Sequence, residues 1–160
     1  MTIVAKDGSG DYSGIQAAVD ALPESGGEIL VMPGEYREKI VIHRNHVHLI
    51  GKDRDRTVIA WNGCAKDRYD DGTEKGTFLS STLMTTGRDI TAENLTIRND
   101  AGDGRIVGQA VAVYAAGDRG IWRNCRAKTA SPTCSTARRT PRCSSFPTVT
   151  TATPSSWMTL

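Results

Sequence analysis

The apolar residues of this chain come in short runs, and almost nothing in the sequence folds one run back onto the next. Residues 28–32, 40–42, 47–50, 57–61, 81–85, 95–97, 111–114 and 120–122 are such runs, punctuated by Gly, Pro, Asn and Asp. Runs of this length with no helical pattern between them predict an all-β chain. One helix is expected ahead of them, over Ser13 to Leu22. Ile15, Ala18, Val19 and Leu22 fall at helical spacing, Ser13 is placed to cap the start, and Pro23 stops it. Asn62-Gly63 is the one tight-hairpin signal between close strands. A repeat offers another way to pair strands. Ile97-Arg98-Asn99 recurs as Trp122-Arg123-Asn124, an offset of 25 residues that sets Glu93 over Asp118. A period of that size with several strands per unit suits a parallel β-helix, with asparagines at equivalent turns forming a ladder. Two copies leave a β-sandwich open as well.

Composition bounds the rest. The chain has 160 residues, 38% of them hydrophobic, and a formal charge of +2. That suits one domain and is too mild a charge to argue for nucleic acid. No apolar run is long enough for a membrane-spanning helix. Met1 to Gly8 is not a basic stretch followed by an apolar core, so no export signal is expected, and the compartment is cytoplasmic if this start is genuine.

The average conceals a break near residue 127. All 18 Asp and Glu lie at or before Asp118, and all 16 Gly lie before residue 127. Residues 127–160 hold nine Thr, six Ser and four Pro, with Lys128, Arg138, Arg139 and Arg142 unbalanced by any acid. We therefore divide the chain into a strand-rich body, 1–126, and a Ser/Thr/Pro-rich tail, 127–160, whose composition is that of a disordered segment. Cys64 and Cys125 belong to the body, Cys134 and Cys143 to the tail. Without a C-x-x-C pair, free thiols are the default reading.

Several clusters could carry chemistry. Asp67, Asp70, Asp71 and Glu74 surround Gly72, but an EF-hand register begun at Asp67 puts Phe78 where a Glu is needed, so a solvated loop is favoured. His43, His46 and His48 lack a fourth ligand, which favours surface histidines, although 46 and 48 share a strand face. Gly8-Ser9-Gly10 lacks the Lys-Ser/Thr ending of a phosphate loop and reads as a turn. Gln109, at the head of an apolar strand, could donate its amide to a developing oxyanion or could be an ordinary strand-edge residue.

Linked motifs then point to one family. Val4-Ala5-Lys6-Asp7-Gly8-Ser9-Gly10-Asp11-Tyr12 with Ile15-Gln16-Ala17-Ala18-Val19-Asp20 resembles the opening of pectinesterases, the pectin methylesterases of carbohydrate esterase family 8. Residues 33–39, 49–53 with 57–59, 91–97, 108–112 and 123–126 follow in the family's order. The resemblance implies an all-β, right-handed single-stranded parallel β-helix. It implies hydrolysis of the methyl esters of polygalacturonate (pectin) to pectate and methanol, by a monomer using no metal or organic cofactor. It implies that Thr77, just before Phe78, and Gln109 contact substrate. The family is usually secreted, which sits awkwardly with the N-terminus.

The same resemblance implies two aspartates: a nucleophile in an Asp-Phe-Ile-Phe-Gly motif and an acid-base in a Gly-aromatic-Gln-Asp-Thr-Leu-Tyr motif. A carboxylate attacks the ester carbonyl while a second carboxyl protonates the departing methoxide. Neither motif occurs here, and no acid follows Asp118. The catalytic pair is therefore expected to be absent and the chain inactive. Reading the tail's codons one step out of register permits Gly-Phe-x-Asp-x-Leu-Tyr from Ala130 onward, so a frameshift between Arg126 and Ala130 is our expectation. The alternatives are a non-catalytic polygalacturonate-binding fragment and another β-helix carbohydrate protein such as a lyase, which would need basic catalytic residues and commonly calcium.

Overall fold

A computed structural model describes residues 1–129. Every strand pair in it is parallel. The strands are β1 (Thr2–Val4), β2 (Gly27–Val31), β3 (Gly34–Arg37), β4 (Ile40–Ile42), β5 (Val47–Gly51) and β6 (Thr57–Trp61), then β7 (Leu83–Thr85), β8 (Thr91–Glu93), β9 (Thr96–Asn99), β10 (Val113–Ala115), β11 (Ile121–Arg123) and β12 (Arg126–Thr129). They stack into three sheets, ordered β1-β2-β5-β8-β11, β3-β6-β9-β12 and β4-β7-β10. Successive coils thus contribute one strand to each sheet, which is a parallel β-helix and excludes the sandwich. The body runs on through Thr129, because β12 pairs with β9. Residues 130–160, with Cys134, Cys143 and the expected change of frame, lie outside the described residues.

The core lies inside the coils. Alternate residues of each strand point inward, as period-2 geometry demands. Ile29 and Val31, Val47 and Leu49, Ile40 and Ile42, and Ile59, Leu83 and Ile97 are all buried there. The helix α1 (Ile15–Ala21) lies across the first coil and buries Ile15, Ala18 and Val19. It is shorter than its sequence pattern. Ser13 does not cap it; Gly14 holds that place without a side-chain bond. The Glu38 carboxylate, from the β3–β4 connection, accepts instead from the Ile15 and Gln16 amides at 2.8 and 3.0 Å. A distant carboxylate thus does an N-cap's work, with the charge the helix dipole favours.

The repeat is real but its register is not 25. Thr96 pairs with Arg126, and Thr91 with Ile121, an offset of 30 in both cases. Glu93 therefore stacks on Arg123, at 2.7 Å, and not on Asp118. The asparagine ladder joins Asn124 to Asn94, Nδ2 to Oδ1 at 2.7 Å, while Asn99 has other work. Both ladder residues are left-handed, φ 54° and 48°. A second left-handed column runs through the residues just ahead of the first sheet's strands: Gly26, His46, Asp89 and Arg119. Beside it Gly117 packs so closely on the Gly87 carbonyl, and Gly87 on that of Arg44, that neither position has room for a Cβ.

Candidate functional site

Most connections between strands are brief; β3 passes to β4 through residues 38–39. Two are not. The chain leaves the coil after β6 over residues 62–82 and after β9 over residues 100–112. Each excursion winds a single helical turn, α2 (Gly76–Leu79) and α3 (Gly104–Val107). The short-run pattern conceals both turns, and Asn62-Gly63, the one tight-hairpin signal, opens an excursion instead.

The two excursions meet, and they bring the two expected substrate residues together. The Thr77 hydroxyl donates to Gln109 Oε1 at 2.8 Å. Thr77 is half-buried on α2, and Gln109 is exposed just before β10. This bond engages the amide oxygen and leaves the NH2 group of an exposed side chain as a donor. Gly108 aims Gln109: its φ of 80° and ψ of −148° form a backbone state open essentially to glycine alone. Phe78, half-exposed, stacks on Tyr114 with ring centroids 5.0 Å apart.

Backbone bonds fasten the excursions to each other. The Ala65 amide donates to the Gln109 carbonyl at 2.8 Å, and Lys66 Nζ to the Ile106 carbonyl at 2.7 Å. Ser80 Oγ donates to the Thr77 carbonyl and accepts from the Val111 amide at 3.2 Å. Lys39 Nζ donates to the Leu79 carbonyl at 2.5 Å, and burial, then the charge of Lys75, holds its pKa below the usual lysine value. At the centre is Asn99, fully buried at the end of β9. Its Nδ2 reaches the carbonyls of Gly63, Ser80 and Val111, each at 2.9 Å, and its Oδ1 accepts from Ala101 at 3.0 Å. One amide thus ties both ends of the first excursion to the end of the second. The 25-residue repeat predicts a ladder through Asn99, which Asn99 does not join.

The other clusters do not converge. Asp67 accepts from the Cys64 amide and thiol, Asp71 from Thr73, and Glu74 pairs with Arg68. His43 meets Thr86, His46 meets Asp89 across the left-handed column, and His48 lies between Glu28 and Glu93. His46 stands at the corner ahead of β5 and not on its face. Among the described residues no group of three or more His, Cys, Asp or Glu side chains could hold a metal ion. Asp7 Oδ1 accepts from the Ser9 amide, closing the Gly8-Ser9-Gly10 turn. Cys64 and Cys125 are buried free thiols whose pKa values burial pushes up. Among the described residues no helix is long and apolar enough to cross a membrane.

A parallel β-helix with a hydroxyl–amide pair where two excursions meet defines a class of protein; comparison with known proteins identifies the family within it. The protein-family model for Pectinesterase matches residues 1–139. The chain is 34% identical to Pectinesterase 31 of Arabidopsis thaliana over 135 residues, covering 79% of this chain and 42% of that protein. Pectinesterase 1 of Citrus sinensis is 34% identical over 128 residues, covering 77% and 20%. Among solved structures, pectin methylesterase PemA from Erwinia chrysanthemi superposes with a TM-score of 0.69 at 30% identity, covering 81% of this chain and 45% of that one. A pectin methylesterase in complex with a hexasaccharide gives 0.68 at 33%, covering 78% and 42%. The chain belongs to the pectinesterase family, and it spans less than half the length of each of these relatives.

Proposed function

We propose that this chain carries the pectin-binding half of a methylesterase of polygalacturonate and that, as it stands, it binds the polymer without turning it over. The Thr77–Gln109 pair supports the binding half of this reading most directly. It places a hydroxyl and an amide donor side by side at an exposed edge, suited to a sugar carboxyl or its ester. In a complete enzyme the Gln109 NH2 would donate to the oxygen that gains charge as the ester carbonyl becomes tetrahedral.

The chemistry itself requires a carboxylate nucleophile and a second carboxyl to hand the methoxide its proton. No Asp or Glu follows Asp118. Of the acids on the excursions, Asp67, Asp71, Glu74 and Asp103 are engaged by Cys64, Thr73, Arg68 and Arg105. Removing two groups that act as a unit removes essentially all turnover. We attribute the loss to a change of reading frame close to Ala130, at the end of the interval from Arg126, and treat the residues after Thr129 as foreign to the parent enzyme.

Methanol release from highly methylated pectin tests the reading. The expected result is retention on pectin with no methanol above background. Methanol released in proportion to protein would overturn the inactive half, and no retention would overturn the binding half. Sequencing the coding DNA across codons 115–160 tests the frame. A one- or two-base correction that restores an Asp-containing motif is expected.

A further inference from the structure

We propose that the cleft beside the N-terminal turn is a second sugar-acid site, apart from the Thr77–Gln109 pair, which takes one free galacturonate unit among Lys6, Asp7 and Arg56. The inference rests on the pectin reading above.

Three successive connections of the coils build this cleft. The turn after β1 supplies Lys6, Asp7 and Ser9, the link between β2 and β3 supplies Met32 and Pro33, and the link between β5 and β6 supplies Arg56. The space they enclose is about 540 Å³, within the ~300–1,000 Å³ of small-ligand sites. Backbone bonds fix the spacing of the three connections. The Met32 amide donates to the Val4 carbonyl and the Gly34 amide to the Arg56 carbonyl, both at 2.8 Å. Lys6 Nζ is tied across to the Glu35 carbonyl at 2.6 Å. The cleft lies ahead of β3 and β6, whereas the Thr77–Gln109 pair lies on the excursions that follow β6 and β9. The strands of that sheet separate the two places.

The polar groups of the cleft are only partly spent. Arg56 is exposed, and among the described residues its guanidinium has no ion pair or hydrogen bond. The acids near it are committed elsewhere. Asp53 accepts from the Asp55 and Arg56 amides, and Asp55 pairs with Arg54 and Arg126. The Glu35 carboxylate pairs with Arg37 and Arg98. Lys6 spends one proton on the Glu35 carbonyl and has two more. Asp7 is of the opposite kind. Its Oδ1 accepts the Ser9 hydroxyl and amide at 2.6 and 3.0 Å, and these bonds, the hydroxyl's first, hold the carboxyl below the ordinary aspartate range. Asp7 Oδ2 is left as a charged acceptor. The cleft thus presents cationic donors, an anionic acceptor and, in Met32 and Pro33, an apolar wall. A free uronate ring answers all three, with its carboxylate, its hydroxyls and its C–H face. A bare anion answers only the donors and meets the charge of Asp7; a methyl ester lacks the charge that the donors attract.

The test is an NMR titration of the isotope-labelled 160-residue chain, at low ionic strength, with galacturonate, its methyl ester and acetate. Galacturonate should shift the Ser9 and Gly34 amides. It should bind there about five- to tenfold more tightly than its ester, the range two exposed ion pairs supply, and more tightly than acetate. Arg56→Gln should weaken galacturonate at these amides about threefold. Arg56→Lys should keep most of the affinity, and Gln109→Leu should leave these shifts unchanged. Acetate or the ester binding as well as galacturonate would overturn the inference, as would an Arg56→Gln variant that binds like the wild type. Shifts confined to the surroundings of Thr77 and Gln109 would overturn it while the pectin reading stands. If galacturonate shifts no amide, the inference falls, and retention of the chain on pectin then decides whether the pectin reading falls with it.

Discussion

The coils and the excursions of this protein are stabilised by different means. In the coils, each strand between the ends is flanked by backbone ladders and turns aliphatic side chains into one core. The excursions bury no large aliphatic side chain; α2 and α3 contain no buried residue at all. What holds them is a handful of hydrogen bonds that converge on Asn99 and Ser80. The difference teaches where precision comes from. Apolar packing makes the scaffold rigid without specifying any one loop, whereas directed polar bonds to a buried amide fix two loops relative to each other.

The sharpest way to break this division is to remove the amide. Asn99→Ala takes the partner from the Gly63 and Ser80 carbonyls and from the Ala101 amide, while the Val111 carbonyl keeps the Thr82 amide at 3.1 Å. A buried polar group without a partner costs roughly 1–3 kcal/mol. Allowing for partial hydration, we expect a loss on the order of 4 kcal/mol in urea unfolding, together with faster proteolysis within residues 62–82. Asn99→Asp should recover little, since a carboxylate cannot donate to the carbonyls. An Asn99→Ala variant with wild-type stability and wild-type cleavage would show that the excursions are held by something else.

How much of this was legible beforehand follows the same division. The coils are legible: the apolar runs at 40–42 and 57–61 predict strands, and both are strands. The register was not legible, for a physical reason. Two stacked pairs are identical, Gly87 with Gly117 and Asn94 with Asn124, but the charged pairs are complementary. Asp89 lies under Arg119, and Glu93 under Arg123. Two identities are too few to mark an offset of 30, and a chance Arg-Asn match at 25 residues outweighs them. The left-handed corners were hidden similarly, because His46, Asp89 and Arg119 give no glycine signal. In the excursions, Thr77 is legible only through a family motif, and Gln109, a candidate from its place at the head of an apolar strand, is set above an ordinary strand-edge residue only by one. Asn99's role depends on carbonyls from three distant places, and no local pattern encodes it.

A pair of substitutions separates scaffold from site. Ile97 is fully buried in β9, so Ile97→Ala should cost about 3 kcal/mol of stability. Among molecules that remain folded, its affinity for galacturonate oligomers should not change. Gln109→Leu should do the opposite. Its side chain is exposed, so the unfolding midpoint should stay within experimental scatter. Loss of one donor, with Thr77 left unpartnered, should weaken oligomer binding by about fivefold. If Ile97→Ala weakens binding as much as Gln109→Leu does, the coils and the excursions are not energetically separate.

The smallest expected effect lies in the ion-pair column that edges the coils. Arg119 clasps Asp89 through Nε and Nη2 at 2.5 and 2.6 Å, and His46 Nδ1 lies 3.3 Å from the same carboxylate. The hydrogen bonds from Arg119 come first among the causes that hold the Asp89 carboxyl below the ordinary aspartate range. A carboxylate whose pKa is lower folded than unfolded stabilises the protein at pH values above its unfolded pKa. That contribution fades as pH falls through the depressed folded value. Arg119→Gln should therefore lower the urea midpoint slightly near neutrality, with the gap from wild type closing as the solution is acidified below about pH 4, the ordinary aspartate value. The column is exposed, and salt should shrink the effect further. A gap that stays constant from neutral to acidic pH would mean that Arg119 acts through its left-handed backbone and not through Asp89. The coils would then owe that edge to conformation alone, as they do at Gly26 in the same column.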